Sequence, residues 1–202
     1  MLIETQYLPS IPFFSALSKS SSITLEQFEN FGKQSFRNRT QILSSQGIQN
    51  LVIPVHNANS KILTKEITID YTQKWQLLHL RAIRSAYGKA PFFEHYFPMI
   101  EKVLLSNQIH LWDLNLNFLQ VLLSCLKINK SILFSDEYIK TPSPEILDLR
   151  NVIHPKKNIH EHDYFKDYVH KKYFQVFGEQ FVPELSIIDL LMNEGPQAKA
   201  YL

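Results

Sequence analysis

The first third of the chain alternates short apolar runs with polar breaks, a pattern typical of strands joined by turns. "LIETQYLP" predicts a short strand that proline stops, and "IPFFSALSKS" predicts a helix with Pro12 in its first turn. "SSITLEQFENF" predicts a second strand, so the order indicates a βαβ unit. Two apolar runs flank Gln46-Gly47 and predict a hairpin, because glycine tolerates the positive φ of such turns. A further strand is predicted over residues 60–71.

Apolar residues then recur every three or four positions, which indicates amphipathic helices. Three helices are predicted, in "TQKWQLLHLRAIRSAYG", "APFFEHYFPMIEKVLLS" and "LWDLNLNFLQVLLSCLKI". One face of the first helix carries Trp75, Leu78, His79, Ala82, Ile83, Ala86 and Tyr87. The third helix is apolar nearly all round, so we expect it at the centre of the core. "SILFSDEY" predicts a strand, and a last helix is expected between Ser186 as N-cap and Gly195-Pro196.

These elements predict an α/β or α+β fold in a single domain over residues 1–202. A mixed β-sheet comes from the N-terminal third, and helices from the middle and the C-terminus pack against it. "IKTPSPEILDLRNVIHPKKNIHEHD" carries three prolines and mixed charge, which predicts a surface excursion.

Charge and cysteine content narrow the function classes. The formal net charge is +2 and no block of like charge stands out, which argues against a nucleic-acid partner. The single cysteine, Cys125, can form no intrachain disulfide, and this fits a reducing compartment. No long uninterrupted apolar run or signal peptide is evident, so we expect a cytoplasmic protein without a transmembrane segment.

Familiar catalytic motifs do not occur in the sequence. Its five glycines form no phosphate-binding loop of the P-loop or dinucleotide type, and no glycine-flanked serine elbow occurs. The sequence therefore leaves any cofactor unknown. "NIHEHDYFKDYVH" offers five groups that could coordinate a divalent metal: His160, Glu161, His162, Asp163 and His170. Their spacing is loose and the segment is charged, so we expect a solvated turn and no tightly bound transition metal.

Two other positions each allow two interpretations. His79 follows Trp75 by one helical turn on an apolar face, so its imidazole is either a hydrogen-bonded core group or an acid/base at a site. Asn38 and Arg39 precede a predicted strand, where amide and guanidinium groups bind polar or anionic ligands. The alternative is a plain turn with a surface arginine.

Polar residues also lie in the last part of the first predicted strand. Glu4, Gln6 and Tyr7 stand near its carboxyl end, and α/β sheets bind ligands at the carboxyl ends of their strands. The alternative is an edge strand with one solvated face. If the first interpretation holds, we expect Glu4, Gln6, Asn38 and Arg39 to line one cleft.

An ordered set of blocks resembles the WbqC-like family of bacteria over nearly the whole chain. The blocks are "ETQYLPSIPFF", "NRTQILSSQGIQNLVIPV", "KWQLLHLRAIRSAYGKAPFFEHYFPMIE", "DLNLNFLQ" and "FVPELSIIDLLMNEGPQA". Residues that agree with the family's blocks are Asn38, Arg39, Trp75, His79, Tyr87, Ala90, Pro91, Asp113, Asn115, Pro183, Ser186, Asp189, Asn193 and Gly195. The opening departs from the family's Gln-Pro pattern at positions 4–6, and residues 135–168 lack an expected glycine-bearing segment.

The resemblance implies a role in surface polysaccharide biosynthesis of the O-antigen type, in a largely uncharacterised family. It implies a transferase that adds an acyl or aminoacyl group to an amino sugar, with a nucleotide-activated sugar as small-molecule substrate. In this hypothesis His79 is the general base, and Glu4, Gln6, Tyr7, Asn38, Arg39 and Trp75 bind the substrate. The alternative function is a non-enzymatic binding or scaffold protein of the same pathway, in which these residues are framework.

Overall fold

The computed structural model describes residues 1–58 and 61–202, which form a mixed α/β fold. The strands are β1 (Leu2–Ile3), β2 (Ser22–Leu25), β3 (Arg39–Ser44), β4 (Gly47–Val52) and β5 (Ser131–Phe134). The α-helices are α1 (Ile11–Lys19), α2 (Trp75–Tyr87), α3 (Phe93–Leu104), α4 (Leu111–Cys125) and α5 (Ile187–Glu194). Short 3₁₀ helices cover Thr64–Glu66, Ile159–Glu161, Asp163–Phe165 and Gly195–Tyr201. The predicted fold class, with strands mostly early and helices later, is confirmed.

A small parallel sheet organises the first strands. Its order is β1-β2-β5, with both pairs parallel, and α1 provides the crossover of the predicted βαβ unit. Leu2 on the free side of β1 pairs in parallel with Asp148, so a fourth stretch of chain continues the sheet. Because all four run in the same direction, the residues that follow them meet at one edge.

The predicted hairpin is also confirmed. Strands β3 and β4 pair antiparallel from Arg39 opposite Val52 to Ser44 opposite Gly47. Gly47 has a φ of 95°, a conformation that side-chain-bearing residues rarely adopt. The tight turn therefore depends on glycine at this position.

Helix α4 lies at the centre of the core, as its apolar pattern predicts. Leu111, Leu114, Phe118 and Leu122 are all fully buried. Burial of one such side chain contributes on the order of 1.5–3 kcal/mol, so α4 is a major source of stability.

Helix α5 has both of the ends that the sequence predicts. The Ser186 hydroxyl accepts the N–H of Ile188 at 3.5 Å, and the helix ends before Gly195, which has a φ of 54°. A Cβ atom on Gly195 would lie 2.5 Å from the Phe92 ring, so glycine is required there for space as well as for conformation.

Two predictions of local structure are wrong. Over its described part, 61–71, the predicted strand is instead a 3₁₀ turn with isolated bridges, because its backbone pairs singly with three separate segments. Ser60, its first residue, lies outside the described residues.

The second wrong prediction concerns α2. Leu78 is predicted on the buried face of this helix but is 59% exposed, while Leu80 is buried instead. The buried stripe is thus rotated toward β3 and α3, which pack against α2.

Among the described residues, no helix is both long enough and apolar enough to cross a membrane.

Candidate functional site at the carboxyl edge of the parallel sheet

The polar residues that follow β1 bond to three distant parts of the chain. Their side chains are all nearly inaccessible to solvent, so each needs a partner. The pairs are Glu4 Oε2 with the Asn151 N–H (2.9 Å), Thr5 Oγ1 with Asn115 Nδ2 (3.4 Å), Gln6 Nε2 with the Ile153 carbonyl (3.5 Å), and Tyr7 OH with His79 Nδ1 (2.9 Å). This stretch therefore joins the excursion after β5 to helices α4 and α2.

Glu26 has the same position after β2 that Glu4 has after β1, and it is fully buried. Its Oε1 accepts the Ser135 hydroxyl at 2.8 Å, and Ser135 directly follows β5. Its Oε2 accepts Arg150 Nη1 at 3.2 Å. Arg150 also forms a two-pronged pair with Asp148, at 2.9 and 2.7 Å. The carboxyl ends of neighbouring strands are thus linked through one buried carboxylate.

A second buried ion pair lies beside this group. Arg37 Nε and Nη2 donate to the two carboxylate oxygens of Glu29, both at 2.6 Å, and Nη2 also donates to Asn151 Oδ1 at 2.9 Å. Burial alone would lower the pKa of Arg37, but the charges of Glu4 and Glu29 outweigh it and raise that pKa. Burial also raises the pKa of Glu29, against the opposing effect of Arg37. Charged groups in such a dry environment interact strongly with one another.

Several buried polar atoms after β1, near the start of β3 and on α4 have no hydrogen-bond partner. Among the described residues, buried polar atoms that make no hydrogen bond include Gln6 Oε1, Asn38 Oδ1, Arg39 Nε and Asn115 Oδ1. Each such atom costs on the order of 1–3 kcal/mol if it stays unpaired. The region therefore has unused hydrogen-bonding capacity next to its ion pairs.

Basic side chains surround the outer part of this edge. Burial lowers the pKa of His154, and the positive charges of Lys157, Arg37, Lys156 and Arg39 lower it further. These cations therefore lie close enough to His154 to disfavour its protonation. The Lys157 ammonium donates to the Asn151 carbonyl at 2.8 Å.

A cavity of about 330 Å³ opens beside the same residues, which is within the size range of small-molecule sites. Its lining comes from Arg150, Asn151, Val152, Lys157, Asn158, Glu161 and His162. A larger cavity, of about 550 Å³, is lined by one loop, residues 172–181. The first cavity is the one that adjoins the buried charges at the strand ends.

His79 lies on α2 and contacts the segment after β1 through Tyr7. Its side chain is 5% exposed, and both Trp75 (ring centroids 5.2 Å apart) and Tyr7 (5.7 Å) contact its ring. Burial lowers its pKa to about 4, although a hydrogen bond to the Val52 backbone opposes this effect. A neutral imidazole donates one hydrogen bond and accepts one, so the Tyr7 hydroxyl donates to Nδ1 and His79 donates to the Val52 carbonyl.

Comparison with known proteins supports the resemblance seen in the sequence. The model of the WbqC-like protein family matches residues 5–165 and 155–201. This chain belongs to the WbqC-like family. It is similar to the uncharacterized protein Rv1507c of Mycobacterium tuberculosis, with 26% identity over 230 aligned positions that cover 100% of this chain and 96% of that protein. No solved structure matches the chain.

In this WbqC-like protein the seven residues predicted to form a site fall into two groups. Glu4 and Gln6 bond to residues 151–153, and Arg39 is close to His154. Asn38 Nδ2 donates to the Ile53 carbonyl at 2.8 Å and so supports the base of the hairpin. The second group comprises Tyr7, Trp75 and His79, which pack together in the core. The binding and catalytic roles of all seven stay predictions.

Several charged residues of the edge were missed by the sequence reasoning. They are Glu26, Glu29, Arg37, Arg150, His154 and Lys157. Glu26 could have been predicted, because it lies within the predicted second strand as Glu4 lies within the first. Arg150 could not, because its partner Glu26 is 124 residues away in sequence. The predicted surface excursion therefore supplies much of the lining of the cavity.

The structure of this WbqC-like protein does not bring the five predicted metal ligands together. His160 and His170 come together with Glu184, and the three ligand atoms all lie within 4.8 Å of one another. Glu161 and His162 line the cavity instead. Glu184 is far from the others in sequence and was not among the predicted ligands.

Proposed function

We propose that this WbqC-like protein binds a nucleotide-activated sugar at the carboxyl edge of its parallel sheet and acts in surface polysaccharide biosynthesis. The proposal rests on one observation. The ends of the parallel strands meet at buried charged side chains, and these side chains lie beside a cavity that basic residues line. Parallel sheets bind ligands at this edge. The pathway rests on the resemblance to the family, and the ligand class rests on the chemistry of the cavity.

The lining of the cavity suits such a ligand. Lys157 and His162 offer positive or hydrogen-bonding groups to a diphosphate, whereas the Arg150 guanidinium is already held by Asp148 and Glu26. Asn151 and Asn158 offer amides to sugar hydroxyls. The Glu29–Arg37 pair lies behind Asn151 and fixes its side chain, since Arg37 donates to Asn151 Oδ1. The buried charges would thus orient the binding groups rather than touch the ligand themselves.

A second candidate function is acyl or aminoacyl transfer to an amino sugar with His79 as general base. Its lowered pKa keeps the imidazole neutral at working pH, which a general base requires and which a buried framework histidine shows as well. His79 would take a proton from the sugar amine as that amine attacks the carbonyl of an activated acyl donor, and the donor's leaving group departs with the electrons of the broken acyl bond. Its 5% exposure and two hydrogen bonds favour the non-enzymatic alternative, in which His79 holds Tyr7 in place.

Calorimetric titration with UDP-N-acetylglucosamine tests the binding proposal, with UDP and pyrophosphate as fragments. We expect saturable binding that Lys157→Gln weakens about tenfold, the usual effect of one lost charge-assisted contact. Lys89→Gln is the matched control, because Lys89 is an exposed lysine beyond the end of α2. Absence of binding to all three probes, or equal weakening in both variants, would contradict the proposal.

The two functions are then separated by His79→Gln. If His79 is the general base, the variant keeps ligand affinity but loses modification of the cell's glycan, which mass spectrometry detects. If His79 is framework, the folded variant retains whatever glycan modification the wild type shows.

A further inference from the structure

We infer that His160, His170 and Glu184 form a binding site for a divalent transition metal ion of the zinc type. Two imidazoles and one carboxylate are a donor set that Zn²⁺ accepts, and three protein ligands leave a position open for water or another group. The site is independent of the proposed sugar site. It also goes against the expectation from sequence spacing, which did not include Glu184.

The distances are close to what a bound ion requires. His170 Nε2 lies 3.3 Å from Glu184 Oε1, and all three ligand atoms fall within 4.8 Å of one another. Zinc bonds of roughly 2.0–2.2 Å in a tetrahedral arrangement separate neighbouring ligand atoms by about 3.3 Å. The His170–Glu184 pair already has this separation, and the His160 ligand atom, at most 4.8 Å from either, is no more than about 1.5 Å farther than zinc bonding requires.

Other contacts of His160 and His170 fix the orientation of their imidazole rings. His160 Nδ1 donates to the Phe165 carbonyl at 2.9 Å, which leaves Nε2 as the free ligand atom. Metal-bound histidines characteristically donate their second nitrogen to a backbone carbonyl or a carboxylate in this way. The Tyr168 ring packs edge-on against His170 with centroids 4.8 Å apart and restricts the rotation of that imidazole.

Glu184 gives the site an unusual backbone feature. Its φ is 62°, in the left-handed region that is unfavourable for a residue with a branched or long side chain. The residue lies two positions before Ser186, the N-cap of α5, so its backbone is held next to the start of that helix. His170 and Glu184 also border a small cavity of about 10 Å³, close to the volume needed for one water-sized occupant.

A bound ion would connect two parts of the chain. His160 lies between the cavity-lining residues Asn158 and Glu161, and His170 follows them in the same excursion, whereas Glu184 directly precedes the start of α5. Coordination would therefore fasten the excursion after β5 to the helical core. An ion that binds only the folded chain raises its stability in proportion to the logarithm of the metal concentration.

The test uses full-length protein stripped with a chelator and titrated with ZnCl₂ by calorimetry. We expect one equivalent to bind with a dissociation constant on the order of micromolar or tighter, and His170→Asn or Glu184→Gln to weaken binding about tenfold or more. His95→Asn and Asp163→Asn are the matched controls, since both residues are exposed and neither belongs to the cluster. These controls should bind zinc as the wild type does.

Cobalt gives a readout on the wild type that does not depend on whether the variants fold. Co²⁺ in a four-coordinate site with imidazole ligands should show intense visible absorption, and added Zn²⁺ should abolish it. Failure of the stripped wild type to bind either ion overturns the inference. Zinc binding that His170→Asn and Glu184→Gln leave unchanged also overturns it, because the ion would then lie elsewhere.

Discussion

Replacement of His79 by glutamine should make the stability of the protein less dependent on pH. In the wild type the imidazole is buried between Tyr7 and Trp75, and its pKa falls from 6.5 to about 4. In the unfolded chain the same imidazole takes up a proton near its ordinary pKa. The native state therefore loses stability as the pH falls from above 6.5 toward 4.

The size of this effect follows from the two pKa values. At pH 7.5 the imidazole is neutral in both states, so its titration contributes almost nothing to the free energy of unfolding. At pH 5 the unfolded state is protonated and the native state is not, which lowers the free energy of unfolding by about 2 kcal/mol. Glutamine does not titrate, so the variant lacks this contribution.

The substitution also has a cost that does not depend on pH. Tyr7 OH is fully buried and lies 2.9 Å from His79 Nδ1, so a glutamine that fails to reach it leaves an unpaired hydroxyl. We expect about 1–3 kcal/mol of destabilisation at pH 7.5. At pH 5 the gap between wild type and variant should shrink by about 2 kcal/mol.

Urea denaturation at constant ionic strength between pH 5 and 7.5 measures these values. His95→Gln is the control, because His95 is exposed on α3 and its loss should leave the pH dependence as it is. Parallel curves for wild type and His79→Gln would refute the reasoning, since His79 would then titrate equally in both states.

Two further predictions concern other buried contacts. Arg37→Met should cost about 3–5 kcal/mol, because it leaves the Glu29 carboxylate buried without its partner, and the double variant with Glu29→Leu should recover much of that loss in urea denaturation. A double variant no more stable than Arg37→Met would contradict this. Gly195→Ala should destabilise by more than about 1 kcal/mol, since its Cβ would lie 2.5 Å from the Phe92 ring at a positive φ, and an unchanged urea midpoint would contradict this.

Most of the regular structure follows from local patterns in the sequence. Helices α2, α3 and α4 were predictable because their apolar residues recur at the period of the helix, and the hairpin because Gly47 allows the tight turn. Ser186 and Gly195 marked the ends of α5 in the same local way. The ordered blocks were enough to indicate the WbqC-like family.

Which polar residues meet, in contrast, depends on the packing of distant parts of the chain. Glu4 bonds to Asn151 across 147 residues of sequence, and Glu26 bonds to Arg150 across 124. Such contacts follow from the parallel order of the strands, which places distant strand ends at one edge, and no local pattern encodes that order. The burial of His79 and the approach of Glu184 to His170 have the same origin, since each depends on the packing of elements that lie far apart in the chain.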